Sequence, residues 1–139
     1  MLDRGRILAE LDELDGYLRE LREVAPTSIA EYRKVEKKRS CERLLQIAIE
    51  CVIDVGHLFV SGLRLGLPAE EDDIFEKLEQ AGIISGEMLA VVKRMKGCRN
   101  ILVHEYARVN DAIIFEAVSV KLGDFDAFKR EVVSALERH

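Results

Sequence analysis

The feature that most constrains the fold is the apolar segment 44-LLQIAIECVIDVGHLFV-60, whose only charged residues are Glu50 and Asp54. The three-and-four spacing of its apolar residues predicts a helix. Other apolar side chains of the segment fall outside the main stripe. A helix that is apolar on nearly all sides must be covered on nearly all sides. The segment therefore predicts either a central helix or a subunit interface, which makes homodimerisation a structural expectation. The main stripe consists of Leu44, Ala48, Cys51, Val55 and Leu58.

Two long helices account for the first part of the chain. A four-and-three spacing of apolar residues predicts a first helix from about Asp3 to Val24. Ser28, with Glu31 three residues later, has the pattern of a capping box and begins a second helix. We expect this second helix to continue without interruption through the apolar segment to about Val60.

Shorter helices are predicted for the rest of the chain. Residues 72–82 form one that ends at a glycine, and the apolar stripe from Met88 to Leu102 forms the next. Residues 107–122 suit a helix by spacing and tolerate a strand by their β-branched content, and we assign a helix. The last helix covers 125–136. The expected N-caps are Asp72 or Asp73 for the first of these helices and Asn110 or Asp111 for the third.

These helices define the expected fold class: all-α, an up-and-down bundle of four to six helices, homodimeric, with residues 1–139 in a single domain. The composition agrees, because 34% of the residues are charged and only two are prolines. The longest run without an acidic or basic residue, 55–63, is far shorter than the roughly 20 residues of a membrane-spanning helix. The charged N-terminus has no pattern of a secretory signal. We therefore expect a cytoplasmic protein.

The three cysteines, Cys41, Cys51 and Cys98, are odd in number and lack C-x-x-C spacing. Free cysteine behaves as a small hydrophobe, so we expect reduced and mostly buried thiols rather than disulfides or a thiolate metal site. No cofactor and no metal are expected.

The candidate functional residues lie together in the stretch 99-RNILVHEY-106. On a helix, where each residue turns the direction by about 100°, Asn100 and His104 share a face, whereas Arg99 and His104 point roughly 140° apart. Arg99 aligns instead with Tyr106. Two arrangements could still bring Arg99 and His104 to one substrate atom: the helix bends or ends within the motif, or two chains each supply part of a shared site.

Such residues suit phosphoryl transfer on RNA, which carries its own nucleophile in the 2′-hydroxyl and needs no metal. His104 would move a proton and Arg99 would stabilise charge on the phosphorus centre. Asn100 would orient the imidazole or hold a phosphate oxygen. Residues 91–108 contain five cationic residues against Glu105 alone, a local charge of +4 in a chain of net charge −5. The alternative is structural: an R-x4-H pair also arises by chance, as a surface arginine and a helix-end histidine.

The motif R-N-x-L-V-H-x-Y resembles the signature of the HepT-like branch of the HEPN superfamily. The resemblance extends over nearly all of the chain in order and spacing. Its further elements are the first helix near Tyr17-Leu18, 42-ERLLQIAIECVIDVGHLF-59, 73-DIFEKL-78 before 82-GII-84, and 123-GDFDAF-128.

This resemblance implies a ribonuclease toxin that dimerises around a shared cleft, with Arg99 and His104 as its catalytic dyad. It implies an antitoxin partner, a minimal nucleotidyltransferase of the MntA type, which transfers AMP from ATP to the tyrosine of the motif, here Tyr106. Adenylyl groups beside the dyad would exclude and repel an RNA phosphate. Tyr106 could instead be a packed aromatic residue.

A different functional class remains open beside the nuclease. The same residues could grip a nucleotide or the transferase in a non-catalytic binding module. The intact Arg99 and His104 favour the enzyme, whereas the acidic net charge disfavours non-specific RNA binding and so favours the module.

Overall fold

The computed structural model describes residues 1–139 and contains only helices and loops. The all-α prediction is confirmed, and the ambiguous stretch after the motif is helical. The helices are α1 Arg4–Val24, α2 Ile29–Tyr32, α3 Val35–Gly62, α4 Glu71–Gln80, α5 Gly86–His104, α6 Asp111–Ser119 and α7 Gly123–Arg138, with a 3₁₀ turn at Tyr106–Arg108.

Helix α3, which contains the apolar segment, lies at the centre of the bundle. It packs against α1, α2, α4, α5 and α6. Ile49, Ile53 and Val60, which lie outside its main stripe, are all buried within the single chain. Of the two predicted explanations for its apolar surface, a central position is therefore observed, and neighbouring helices of one chain cover most of its sides.

The length and composition of α3 would also allow it to cross a membrane. Of its most apolar stretch of 18 residues, 56% is buried inside the structure. Burial of this extent is typical of a core helix, and the other helices occupy the surface that lipid would contact.

The predicted second helix is wrong in one respect, because it breaks into α2 and α3. Lys34 leaves the helical conformation with φ −63° and ψ 131°. The break lets Tyr32 bury its ring against Phe115 of α6, with 6.2 Å between the ring centroids. Lys38 of α3 pairs with Asp111 at the start of α6, at 3.0 Å. This division raises the helix count to seven.

The predicted caps are partly confirmed. Ser28 accepts a hydrogen bond from the backbone N–H of Glu31, but the Glu31 carboxylate accepts from Thr27 rather than completing a capping box. Asn110 caps α6 as predicted. The cap of α4 is neither Asp72 nor Asp73. It is Glu70, because α4 begins at Glu71 and both predicted caps lie inside its first turn, from which Asp73 completes the capping box.

The α3–α4 contact depends on a glycine and gives the first testable prediction. A β-carbon at Gly56 would lie 2.8 Å from Cγ2 of the buried Ile74 and 3.3 Å from the ring of Phe75. We expect Gly56→Ala to lower the free energy of unfolding by about 1–3 kcal/mol, because overpacking a dense core forces side chains off their preferred rotamers.

The matched control is Gly16→Ala in α1, where the new methyl group meets only the end of the Arg19 side chain, at 3.8 Å. Alanine is the better helix former, so this change should raise the free energy of unfolding by roughly 0.5–1 kcal/mol. Urea denaturation measures both changes. Equal stability of the two variants would contradict the close packing of α3 on α4.

Candidate active site

The motif occupies the C-terminal end of α5, and the helix stops within it. The helix is regular through Arg99 and His104, and Glu105 leaves it with φ −131° and ψ 44°. The end of the helix redirects Tyr106, which begins the 3₁₀ turn, but it does not alter the relation between Arg99 and His104. Those two residues therefore keep directions about 140° apart within one chain.

Arg99 projects toward α4 and contacts Glu71. Its Nη2 donates to both carboxylate oxygens of Glu71 at 2.5 Å. The Arg99 side chain is 14% exposed, and its Nε is buried without a hydrogen-bond partner. A guanidinium has five N–H donors, so the ion pair fixes the position of Arg99 and still leaves donor capacity on its other nitrogens.

The Arg99–Glu71 contact belongs to a ladder of ion pairs between the antiparallel helices α4 and α5. The acidic face of α4 thus offsets most of the positive charge that the sequence shows over residues 91–108. Arg94 remains exposed on this part of α5. The other pairs of this window are Lys96–Asp72 at 3.0 Å, Lys93–Glu76 at 2.7 Å and Arg108–Glu105 at 2.7 Å.

Asn100 and His104 lie on one face of α5, as predicted from their spacing. Asn100 is half-buried and His104 is exposed at the last residue of the helix. The imidazole is therefore accessible to a ligand approaching the end of α5. The structure brings Asn100 and His104 together and directs Arg99 elsewhere within the chain.

Tyr106 is partly exposed and reaches back to α3. The residue is 43% exposed, and its hydroxyl donates a hydrogen bond of 2.7 Å to Oε1 of Glu42. The guanidinium of Arg39 lies over the ring, 5.1 Å from its centroid. Tyr106 is thus not part of the hydrophobic core, and its hydroxyl has a defined acceptor.

Glu42 is a buried acid that the sequence analysis missed. It is 5% exposed, and it also accepts a hydrogen bond of 3.0 Å from Arg39. Burial raises the pKa of the Glu42 carboxyl, and the nearby Arg39 and Lys38 only partly oppose that rise. Oε2 of Glu42 is buried without a partner. Nothing local to its sequence marked Glu42, because Tyr106 is 64 residues away along the chain.

One possible group of metal ligands lies elsewhere, where α1 meets α3. Atoms of Glu10, Glu13 and Cys51 lie within 4.8 Å of one another. Burial and the neighbouring carboxylates raise the pKa of the Cys51 thiol to about 12, so this cysteine is a neutral thiol at neutral pH. All three cysteines are free, and Cys41 and Cys51 are buried as predicted.

The family model described as ribonuclease HepT-like matches residues 14–132 of the chain. The chain is 28% identical over 131 residues to the tRNA nuclease HepT of Aphanizomenon flos-aquae, a match that covers 94% of this chain and 89% of that protein. It is 34% identical over 84 residues to the mRNA nuclease HepT of Shewanella oneidensis, covering 60% of this chain and 63% of that protein.

A solved structure with the same fold is the tri-AMPylated Shewanella oneidensis HEPN toxin in complex with MNT antitoxin. It superimposes with a TM-score of 0.85 at 25% identity, and the match covers 92% of this chain and 96% of that chain.

The contact between Arg99 and Glu71 gives the second prediction. In a double-mutant cycle with Arg99→Ala and Glu71→Ala, we expect a coupling energy of about 1 kcal/mol in the free energy of unfolding, because the pair is more buried than a typical surface ion pair. The control cycle uses the more exposed Lys93–Glu76 pair, whose coupling should be smaller. Additive effects of the Arg99 and Glu71 substitutions would contradict the ion pair.

Proposed function

The chain belongs to the ribonuclease HepT-like family of the HEPN superfamily, and on that premise we propose that it is a metal-independent endoribonuclease toxin. The whole chain forms one HepT-like domain that acts in the cytoplasm. The observation that carries the proposal is the motif itself: an accessible His104 beside Asn100 at a helix end, and an Arg99 held in position by Glu71. Curated relatives named as tRNA and mRNA nucleases support RNA as the substrate.

The proposed reaction uses the 2′-hydroxyl of the RNA as nucleophile. His104 takes the proton of that hydroxyl or gives a proton to the departing 5′-oxygen, a contribution typically of about 10²–10⁴-fold. Arg99 stabilises the negative charge that develops on the phosphoryl oxygens. Asn100, one helical turn before His104, orients the imidazole or holds a phosphate oxygen.

The proposed catalytic unit is a homodimer with a shared cleft. Arg99 and His104 diverge by about 140° on a regular helix, so one chain does not direct both at the same phosphate. Two copies of α5 that face each other can place Arg99 of one chain beside His104 of the other. An isologous two-fold interface produces this exchange by symmetry.

The proposed partner is a minimal nucleotidyltransferase antitoxin that adenylylates Tyr106. Tyr106 is 43% exposed, so a second protein can contact this residue. An added adenylyl group brings bulk and negative charge close to His104, which opposes binding of an RNA phosphate. The AMPylated HEPN toxin from Shewanella oneidensis, solved with an MNT antitoxin, supports this form of control.

One observation favours a second candidate function, a non-catalytic module that binds a nucleotide or the transferase. In the free chain Arg99 is already paired with Glu71, and the ladder to α4 offsets the local positive charge. Weaker positive charge means weaker binding of RNA phosphates. Such a module would bind the transferase tightly and would not turn over RNA.

The third prediction separates these two functions. The unmodified chain, its intact mass verified, is incubated with total RNA in the presence of EDTA. We expect cleavage that leaves 2′,3′-cyclic phosphate ends, and His104→Ala should lower the initial rate by about 10²–10⁴-fold because it removes the proton-transfer group. The control is His57→Ala, which removes an exposed histidine of α3.

Two results would contradict the proposed nuclease activity of His104. No cleavage by the unmodified chain, combined with tight binding to the transferase, would support the binding module. Equal rates for His104→Ala and His57→Ala would exclude His104 from catalysis. Circular dichroism of each variant verifies that the fold is retained.

The fourth prediction tests the shared cleft by complementation. We expect Arg99→Ala and His104→Ala each to be nearly inactive alone, whereas mixed dimers contain one site with both native residues. Unfolding the two variants together and refolding them should restore activity to about a quarter of the wild-type level, because half the dimers are mixed and half of their sites are intact. Recovery no greater than the sum of the separate variants would show that Arg99 and His104 act from the same chain.

A further inference from the structure

We propose that Glu42 is the general base that takes the proton from the Tyr106 hydroxyl when Tyr106 is adenylylated. This inference rests on the modification of Tyr106 proposed above. It adds that the toxin itself supplies the general base for its own inactivation, so that the antitoxin does not have to supply that group.

The hydrogen bond between the two side chains has the geometry of proton transfer. The Tyr106 hydroxyl lies 2.7 Å from Oε1 of Glu42, within the reach of about 2.6–3.2 Å that a general base needs. The hydroxyl is the donor, so the proton that must leave already points at the carboxylate. No rearrangement of α3 or of the 3₁₀ turn is required.

The surroundings of Glu42 favour a basic carboxylate. Glu42 is 5% exposed, and Oε2 is buried without a hydrogen-bond partner, so little solvation stabilises the charge. Burial raises the pKa of the carboxyl, which makes it a stronger base than a solvated glutamate. The hydrogen bond from Arg39 to Oε1 keeps the carboxylate oriented toward Tyr106.

Two arginines line the groove that contains Tyr106 and suit a nucleotide substrate. A shallow groove of about 210 Å³ is lined by Arg39, Glu42, Arg43, Gln46, Leu102 and Tyr106. The Arg39 side chain is 58% exposed, and its guanidinium lies 5.1 Å from the centre of the Tyr106 ring. Guanidinium groups bind phosphate oxygens with matching geometry, so this groove can receive the phosphates of ATP beside the nucleophile.

The proposed step transfers an adenylyl group from ATP to Tyr106. The Tyr106 oxygen attacks the α-phosphorus of ATP and forms a Tyr–O–P bond, while the bond from that phosphorus to the bridging oxygen of the β-phosphate breaks. The phenolic proton passes to Oε1 of Glu42, and pyrophosphate leaves with the electron pair of the broken bond. Glu42 then returns its proton to solvent.

The experiment measures the initial rate at which Tyr106 gains its first adenylyl group. The unmodified chain is incubated with MgATP and the MNT antitoxin of Shewanella oneidensis, and intact mass with peptide mapping follows the product. We expect Glu42→Gln to lower this rate about 100-fold or more, because the amide cannot accept the proton. Glu36→Gln, an exposed acid on the same helix, is the matched control and should react at the wild-type rate.

The pH dependence distinguishes a base from a purely structural residue. The wild-type rate should fall as the pH drops through the raised pKa of Glu42, because protonation removes the acceptor. The residual rate of Glu42→Gln should not show this fall at acidic pH. Glu42→Asp, which keeps a carboxylate, should recover part of the rate, and it replaces Glu42→Gln if the amide variant does not fold.

A second arm needs no antitoxin. The adenosine reagent 5′-fluorosulfonylbenzoyl adenosine sulfonylates tyrosine hydroxyls with loss of fluoride and the same phenolic proton, so Glu42→Gln should slow its reaction at Tyr106 as well. Wild-type rates for Glu42→Gln with both reagents would overturn the role of Glu42. If the wild-type chain gains no adenylyl group in the antitoxin reaction, that result would count against adenylylation of Tyr106. The sulfonylation reaction would still decide whether Glu42 activates the Tyr106 hydroxyl.

Discussion

The apolar surface of α3 is the constraint on which the rest of the structure depends. Because this helix is hydrophobic on nearly all sides, other elements must cover it, and α1, α4 and α5 are its main neighbours. Helix α5 runs antiparallel to α3, so its C-terminal end comes to the first half of α3, where Glu42 lies. The packing of one hydrophobic helix thus determines which polar groups meet at the motif.

Two acidic residues then organise the motif, each on a different face. Glu71 of α4 holds Arg99 on one face, and Glu42 of α3 accepts the Tyr106 hydroxyl on another. His104, which lies between Arg99 and Tyr106 in the sequence, remains exposed. In the proposed dimer, a fixed Arg99 loses little conformational freedom when it binds a phosphate, which lowers the cost of forming the complex.

Local patterns were sufficient to predict most helices but not the tertiary contacts of the site. The spacing in α1, α5 and α7 predicted those elements because amphipathic periodicity is a property of neighbouring residues. No glycine or proline marks the break at Lys34 in the sequence. Tertiary contacts with α6 stabilise the break, above all the packing of the Tyr32 ring against Phe115.

The acidic partners of the motif, Glu71 and Glu42, also could not be predicted from local sequence patterns. Glu71 and Glu42 are 28 and 64 residues from Arg99 and Tyr106, respectively, so the composition of the motif does not reveal them. The local charge of +4 over residues 91–108 overstates the positive charge of this surface, because the count leaves out the acids of α4 that pair with Arg99, Lys96 and Lys93. The acidic first turn of α4, spaced to match the cations of α5, was the sequence signal that could have indicated the ladder.

The central claim is that Arg99 of one chain and His104 of its partner act on the same RNA phosphate. The most direct measurement is a crystal structure of the unmodified chain with an oligonucleotide whose 2′-hydroxyl at the cleavage position is replaced by hydrogen. We expect one phosphate contacted by Arg99 of one protomer and by the imidazole of His104 of the other, with Glu71 still bound to Nη2 of Arg99. A phosphate bound away from both residues, or contacted by His104 without any arginine from the opposite chain, would contradict it.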